Sequence, residues 1–150
     1  MNNNFSIRLA ELKDLTYLAR IFDSYRTFYN QPPDVAAAYS FLKERLNKME
    51  SVIYIALSDE QNILGFAQMY RTFSSISMRP ALILNDLYVD VNHRNLGIAS
   101  KLLAQVKNHA AQNNCAWITL QTSISNASAQ QLYRKHGFTQ ETDFLTFNHS

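Results

Sequence analysis

Residues 81–89, Ala-Leu-Ile-Leu-Asn-Asp-Leu-Tyr-Val, carry apolar side chains at odd and even positions alike. Successive side chains of a β-strand point to opposite faces, so such a run belongs in the middle of a sheet covered on both sides. The remaining 141 positions of a 150-residue chain must supply that cover. A chain of this length buries about two-thirds of the surface that its unfolded form exposes, which is enough for a core without staples. No repeat, low-complexity tract or Pro/Gly-rich linker divides it, and one domain over residues 1–150 is expected.

Periodicity supplies the neighbours of the central strand. Residues 6–9 read as a short strand, and residues 11–29 place Leu15, Leu18, Ala19, Phe22, Tyr25, Arg26 and Tyr29 at helical spacings. After Pro32-Pro33, a second helix is predicted over 34–48, with Ala38, Phe41, Leu42 and Leu46 as its apolar stripe. Residues 51–57 and 63–73 flank the polar turn Asp59-Glu60-Gln61-Asn62 and read as a hairpin, with residues 74–80 as a polar loop after it. Beyond the central strand the pattern predicts a helix over 97–113, a strand over 117–121, a helix over 127–136 ended by Gly137, and a last strand over 144–147. The order β-α-α-β-β-β-α-β-α-β implies a mixed sheet flanked by helices.

Composition removes several classes of function. Lysine and arginine number 14 against 12 acidic residues, a formal charge of +2, and the basic residues are scattered, so nucleic acid is not an expected partner. Met1-Asn2-Asn3-Asn4-Phe5-Ser6 lacks the basic and apolar regions of a secretory signal. No segment approaches the about 18 apolar residues of a membrane span. A cytoplasmic protein without membrane association is therefore expected. Cys115 is the only cysteine, which rules out an intrachain disulfide or a multi-cysteine metal site, and it reads as a small buried hydrophobe. No constellation suggests a metal, flavin or nicotinamide.

The chemistry is concentrated in residues 84–103. A strand ends, a polar loop follows, and a helix opens at Gly97-Ile98-Ala99, so unpaired main-chain N–H groups and the positive end of the helix dipole converge on one point. Such a point binds pyrophosphate. Gly97 and Ala99 keep the surface free of bulk, and Arg94 adds charge. Further on, Asn126 is a candidate N-cap, and Tyr133 lies seven residues later, two helical turns along nearly the same face, while Leu132 turns to the core. A phenol there is either a core tyrosine with a satisfied hydroxyl or a proton donor.

Arg94-Asn95-Leu96-Gly97-Ile98-Ala99 matches the Arg/Gln-x-x-Gly-x-Gly/Ala motif of the GNAT superfamily, and residues 126–138, Asn-Ala-Ser-Ala-Gln-Gln-Leu-Tyr-Arg-Lys-His-Gly-Phe, resemble that family's second motif. The resemblance covers essentially the whole chain. It implies a mixed α/β fold with a mostly antiparallel sheet of six to seven strands and four helices, acetyl-CoA as co-substrate, and a homodimer. On this resemblance the cofactor would be held by Leu87, Tyr88 and Val89 through their main chain and by Arg94, Asn95, Leu96, Gly97, Ile98, Ala99, Ser100 and Asn126. Tyr133 would be the acid that protonates the departing thiolate.

The base and the acceptor are less constrained. Asn85-Asp86-Leu87 resembles the Glu-Asp-Phe/Leu of polyamine and thialysine acetyltransferases, with Asn85 in place of the glutamate. Asp86 is then either the carboxylate that takes the amine proton or a strand acid paired with a lysine or arginine, and a water chain to backbone carbonyls is a third route. Acceptor contacts are expected from Tyr25, Arg26, Tyr29 and Asn85, and from the segments 25–29 and 73–77. Arg26 either holds a carboxylate in bidentate fashion, favouring an amino-acid-like acceptor, or is a solvated arginine. The leading expectation is an N-acetyltransferase acting on the primary amine of a small molecule, such as a free amino acid, by direct attack in a ternary complex. Its alternatives are a protein or peptide N-acetyltransferase and a non-catalytic acetyl-CoA-binding module.

Overall fold

The computed structural model describes residues 4–150; Met1, Asn2 and Asn3, part of the segment that bears on a leader, lie outside the described residues. Strands β1 (Phe5–Leu9), β2 (Ser51–Ser58), β3 (Ile63–Ser74) and β4 (Arg79–Val89) pair antiparallel in sequence order, and β5 (Ile118–Leu120) adds parallel to β4. The helices are α1 (Leu15–Phe28), α2 (Val35–Asn47), α3 (Ile98–Gln112) and α4 (Ala127–Lys135).

Local chemistry sets the ends of these elements. The first helical turn expected at residue 11 is instead a 3-10 turn over Leu12–Asp14. Asp14 accepts from the Glu11 N–H at 2.7 Å and from both Arg8 Nη atoms at 2.8 Å, which anchors the turn to β1. Asp34 caps α2 by accepting from the Ala37 N–H at 3.0 Å. Asn126 caps α4 in the same way, accepting from the Ala129 N–H at 3.2 Å.

The sheet is covered on both faces, as the double apolar parity of residues 81–89 requires. On one side Ile53, Ile55, Leu57 and Phe66 pack against Leu15, Leu18, Phe22, Ala38 and Leu42 of α1 and α2. On the other, Val52, Ala67, Met69, Leu82 and Leu84 pack against Ile98, Leu102, Leu103 and Val106 of α3. Burying a side chain of the Leu or Ile class stabilises the fold by about 1.5–3 kcal/mol, so this double core is the main source of stability.

Two features shape the middle of the sheet. Gln68 pairs with Asp86 but Met69 pairs with Leu84, leaving Asn85 as an extra residue in β4. This bulge reverses the alternation. Leu82 and Leu84 face α3, whereas Tyr88 packs with the α1 and α2 cluster and Leu87 and Val89 turn to the α3 side. The second feature is a fork: β5 pairs with β4 only at Leu82, Ile83 and Leu84. Beyond that point the β4 edge through Val89 has no strand beside it among the described residues.

The sheet has five strands among the described residues, fewer than the expected six to seven. The missing strand is residues 144–147. Phe144, Leu145 and Phe147 are exposed and belong to no strand of the sheet among the described residues. Residues 79–80, expected in the loop, belong to β4 because Arg79 and Pro80 pair with Ser74 and Phe73 across the hairpin.

Candidate active site

The fork between β4 and β5 leads to the start of α3. Asn95 and Gly97 both adopt left-handed backbone, with φ of 63° and 82°, which turns the chain sharply before the helix. Gly97 is the N-cap and offers no side chain to the first turn. The main-chain N–H groups of Leu96, Gly97, Ile98, Ala99 and Ser100 find no acceptor among the described residues. Apart from its chain neighbours, no atom lies within 4 Å of the position a Gly97 Cβ would take, so this corner of the loop is open. The geometry fits an anionic diphosphate.

Arg94 borders this loop. Its Nε donates to the Val89 carbonyl at 3.3 Å, and its guanidinium lies over the rings of Phe28 and Tyr88 at 5.7 and 5.6 Å. Ser100 reaches the C-cap of α4, its Oγ 2.7 Å from His136 Nε2, so its hydroxyl is engaged there. Burial, then Lys107 and Lys135, holds the His136 imidazole below its ordinary range, keeping it neutral at pH 7.

Tyr133 projects from α4, half-buried, with its ring edge-on to Phe138 at 6.1 Å. Its hydroxyl makes no hydrogen bond with any described residue. Burial, then Tyr29, raises its pKa above the usual phenol value, so it carries its proton at neutral pH. Tyr25 is raised for similar reasons, burial first and then the Asp86 carboxylate.

Asp86 is buried at 5% exposure on the α1/α2 face. Its Oδ2 accepts from Gln68 Nε2 at 2.8 Å and its Oδ1 from Asn85 Nδ2 at 3.1 Å. No lysine, arginine or histidine forms an ion pair with it among the described residues. The expected alternative of a lysine- or arginine-paired strand acid is therefore not what the structure contains.

A cavity of about 450 Å³ opens beside Asp86, lined by Asn85, Tyr25, Arg26 and Tyr29 from the expected set and by Phe22, Phe41 and Tyr70, which periodicity assigns only to core or strand. Burial and then Asp86 push the Tyr70 phenol up to about 12. The charge of Arg26 is already paired with a carboxylate of its own helix, although Nη2 and Nε make no hydrogen bond with a described residue. Its Nη1 is committed to Asp23 Oδ1 at 2.8 Å and to the Pro32 carbonyl at 3.2 Å. Residues 73–77 form the tip of the β3–β4 hairpin, where Phe73 and Ile76 are exposed, and do not line this cavity. Cys115 is partly buried, and burial pushes its thiol up, away from the thiolate form a nucleophile needs.

The match to known proteins agrees with this arrangement. Residues 17–138 match the model of the acetyltransferase (GNAT) family. The chain belongs to that family. This acetyltransferase is 42% identical, over 95% of its length and 95% of the relative's, to an uncharacterized N-acetyltransferase, YhfO, of Bacillus subtilis. It is similar to the crystal structure of a probable acetyltransferase, with a TM-score of 0.93, 37% identity and 97% of each chain covered. It shares its fold, at a TM-score of 0.77 and 21% identity over 97% of this chain and 96% of the other, with a predicted acetyltransferase from Clostridium acetobutylicum solved with acetyl-CoA. No helix among the described residues of the acetyltransferase is long and apolar enough to cross a membrane.

Proposed function

We propose that this acetyltransferase uses acetyl-CoA to acetylate the primary amine of a small molecule, by direct attack in a ternary complex. The observation that carries the reading is the fork of β4 and β5 running into the unbonded amides of Leu96–Ser100. An open strand edge suits the amide groups of a pantetheine arm, and the amides at the head of α3 suit its diphosphate. The likeness to a neighbour solved with acetyl-CoA supports the same co-substrate. When bound, that co-substrate supplies the activated acetyl thioester.

The chain's own residues then divide the work. Asp86, held by Gln68 and Asn85, takes a proton from the incoming ammonium and leaves the nitrogen lone pair free to attack the thioester carbonyl carbon. The C–N bond forms as the C–S bond breaks, and the sulfur leaves with the electron pair. Tyr133 gives its phenolic proton to that sulfur, the second proton that the nitrogen sheds as the amide forms passes through water to the Tyr133 phenolate, and Asp86 releases the first to solvent. Main-chain N–H groups on the open β4 edge are suited to polarise the carbonyl oxygen. The raised thiol of Cys115 favours this route over a covalent enzyme intermediate.

The aromatic side chains of Phe22, Tyr25, Tyr29 and Phe41 along the cavity suit the apolar body of a small amine. As a second part of the proposal, the exposed Phe144, Leu145 and Phe147 supply a homodimer contact. The test of the reading is titration calorimetry with acetyl-CoA, followed by thiol release with an amine library. Absence of binding sinks it, and binding without turnover of any amine leaves only a sensor of the coenzyme.

A further inference from the structure

Charge accounting in the cavity beside Asp86 selects among amines. Two of its lining side chains are ionic, Arg26 and Asp86. Arg26 is neutralised by Asp23, with N···O at 2.8 Å, and the Asp23 carboxylate is locked in turn by the Asp34 N–H at 3.1 Å to each oxygen. Asp86 has neutral amides as its donors and no cation among the described residues. Asp86 is therefore the one carboxyl group of the lining without a basic partner among the described residues, and it is buried where solvent screens poorly.

The walls add the second condition. Phe22 and Phe41 stack at 5.9 Å with planes 9° apart, and Tyr25 meets Tyr29 edge-on at 5.1 Å. Such surfaces bury an apolar body and attract a cation to their faces. A carboxylate entering with the amine would meet Asp86 as a like charge and find no unpaired basic side chain among the described lining residues to receive it.

We propose that the acceptor is a primary alkyl- or arylalkyl-ammonium ion with no carboxylate on its skeleton, its nitrogen directed to Asp86 and its apolar body between the aromatic walls. This specificity rests on the acetyl-transfer reading above. It replaces the free amino acid that an unpaired Arg26 would have favoured.

The test compares 2-phenylethylamine with phenylalanine, which differ by the α-carboxylate alone, on the full chain. Thiol release with acetyl-CoA gives kcat/KM, and calorimetry in the presence of CoA gives Kd. Phenylethylamine is expected to lead by about 100-fold in kcat/KM, the scale of a buried like-charge contact. Equal use of the two, or a lead for phenylalanine, overturns the specificity while leaving acetyl transfer intact. If no amine in a wider library releases thiol, acetyl transfer fails. The two Kd values then judge the cavity alone, with tighter phenylethylamine binding upholding its charge preference and equal or absent binding refuting it. Ala37→Arg adds a cation to the α2 wall, one helical turn beyond the Asp34 cap. It is expected to move the ratio toward phenylalanine by about tenfold without changing the Kd for acetyl-CoA, and an unmoved ratio rejects the electrostatic cause.

Discussion

Gly97→Ala and Gly137→Ala form a matched pair that separates a backbone cost from a ligand cost. Both glycines are left-handed, with φ of 82° and 87°, and at neither, chain neighbours apart, does any atom lie within 4 Å of where a methyl would stand. Each substitution therefore incurs the left-handed penalty of about 1–2 kcal/mol without a clash. For a chain of this size that lowers Tm by roughly 2–8 °C, equally in the two variants. Of the two, only Gly97 lies at the head of α3, beside the amides of Leu96–Ser100 that find no acceptor among the described residues. Displacing a diphosphate by one methyl radius forfeits one charge-assisted hydrogen bond, about 1.5–3 kcal/mol, or roughly 10- to 150-fold in affinity. Thermal melts and acetyl-CoA calorimetry on both proteins measure the two quantities. Equal loss of Tm with unchanged acetyl-CoA affinity in Gly97→Ala would refute the assignment of these amides to the diphosphate.

Tyr133→Phe should bind acetyl-CoA as the parent does and lose about 100-fold or more in kcat, read by thiol release; full activity removes Tyr133 from the mechanism. Because the folded pKa of Tyr133 is raised, its acid form persists through the ordinary phenol range, and an alkaline fall in kcat between about pH 7 and 9 would have to come from another group. The raised folded pKa values of Tyr25, Tyr70 and Tyr133 make stability whole below the ordinary phenol value near 10 and lost as pH climbs above it, which denaturant titrations at about pH 9 and 11 should resolve. Asp14 is lowered by Arg8, so its contribution is present above the ordinary carboxyl range and disappears as pH falls through the depressed value. Asp14→Asn should flatten that acid limb. Phe144→Ser with Phe147→Ser should convert a dimer to a monomer in sedimentation, and a parent that is itself monomeric removes that part of the proposal.

Much of the architecture was legible in the sequence because local chemistry and burial agree there. Double apolar parity located β4, Asp34 and Asn126 marked helix starts, and Gly97-Ile98-Ala99 marked the junction where α3 opens. What escaped depended on contacts between distant segments. The pairing of Arg26 with Asp23 cannot be read from helical spacing alone, since i,i+3 acids and bases meet or miss according to the neighbouring Pro32 carbonyl and Asp34 amide. The facing of Asp86 was hidden by the bulge at Asn85, which strict alternation does not foresee. Gln68, fully buried and donating to Asp86, carried no signal beyond its place in a strand, although a lone amide in an apolar run is the kind of residue a buried carboxylate recruits. Residues 144–147 have the composition of a strand, but composition does not provide a partner.

The extra residue in β4 sits where the strand parts company with β5, whose last partner is Leu84. Extra residues of this kind bend and overtwist the strand that holds them. Shortening β4 by Asn85 alone would bring Leu84 and Asp86 together as successive residues, on opposite sides by plain alternation, so the acid would keep its heading. The loss would fall elsewhere. The carboxylate would give up one of its two amide braces, and a straightened β4 would run further beside β5, narrowing the fork to which the pantetheine arm is assigned in the proposal. One inserted position thus bears on the width of that fork more than on the compass bearing of the acid.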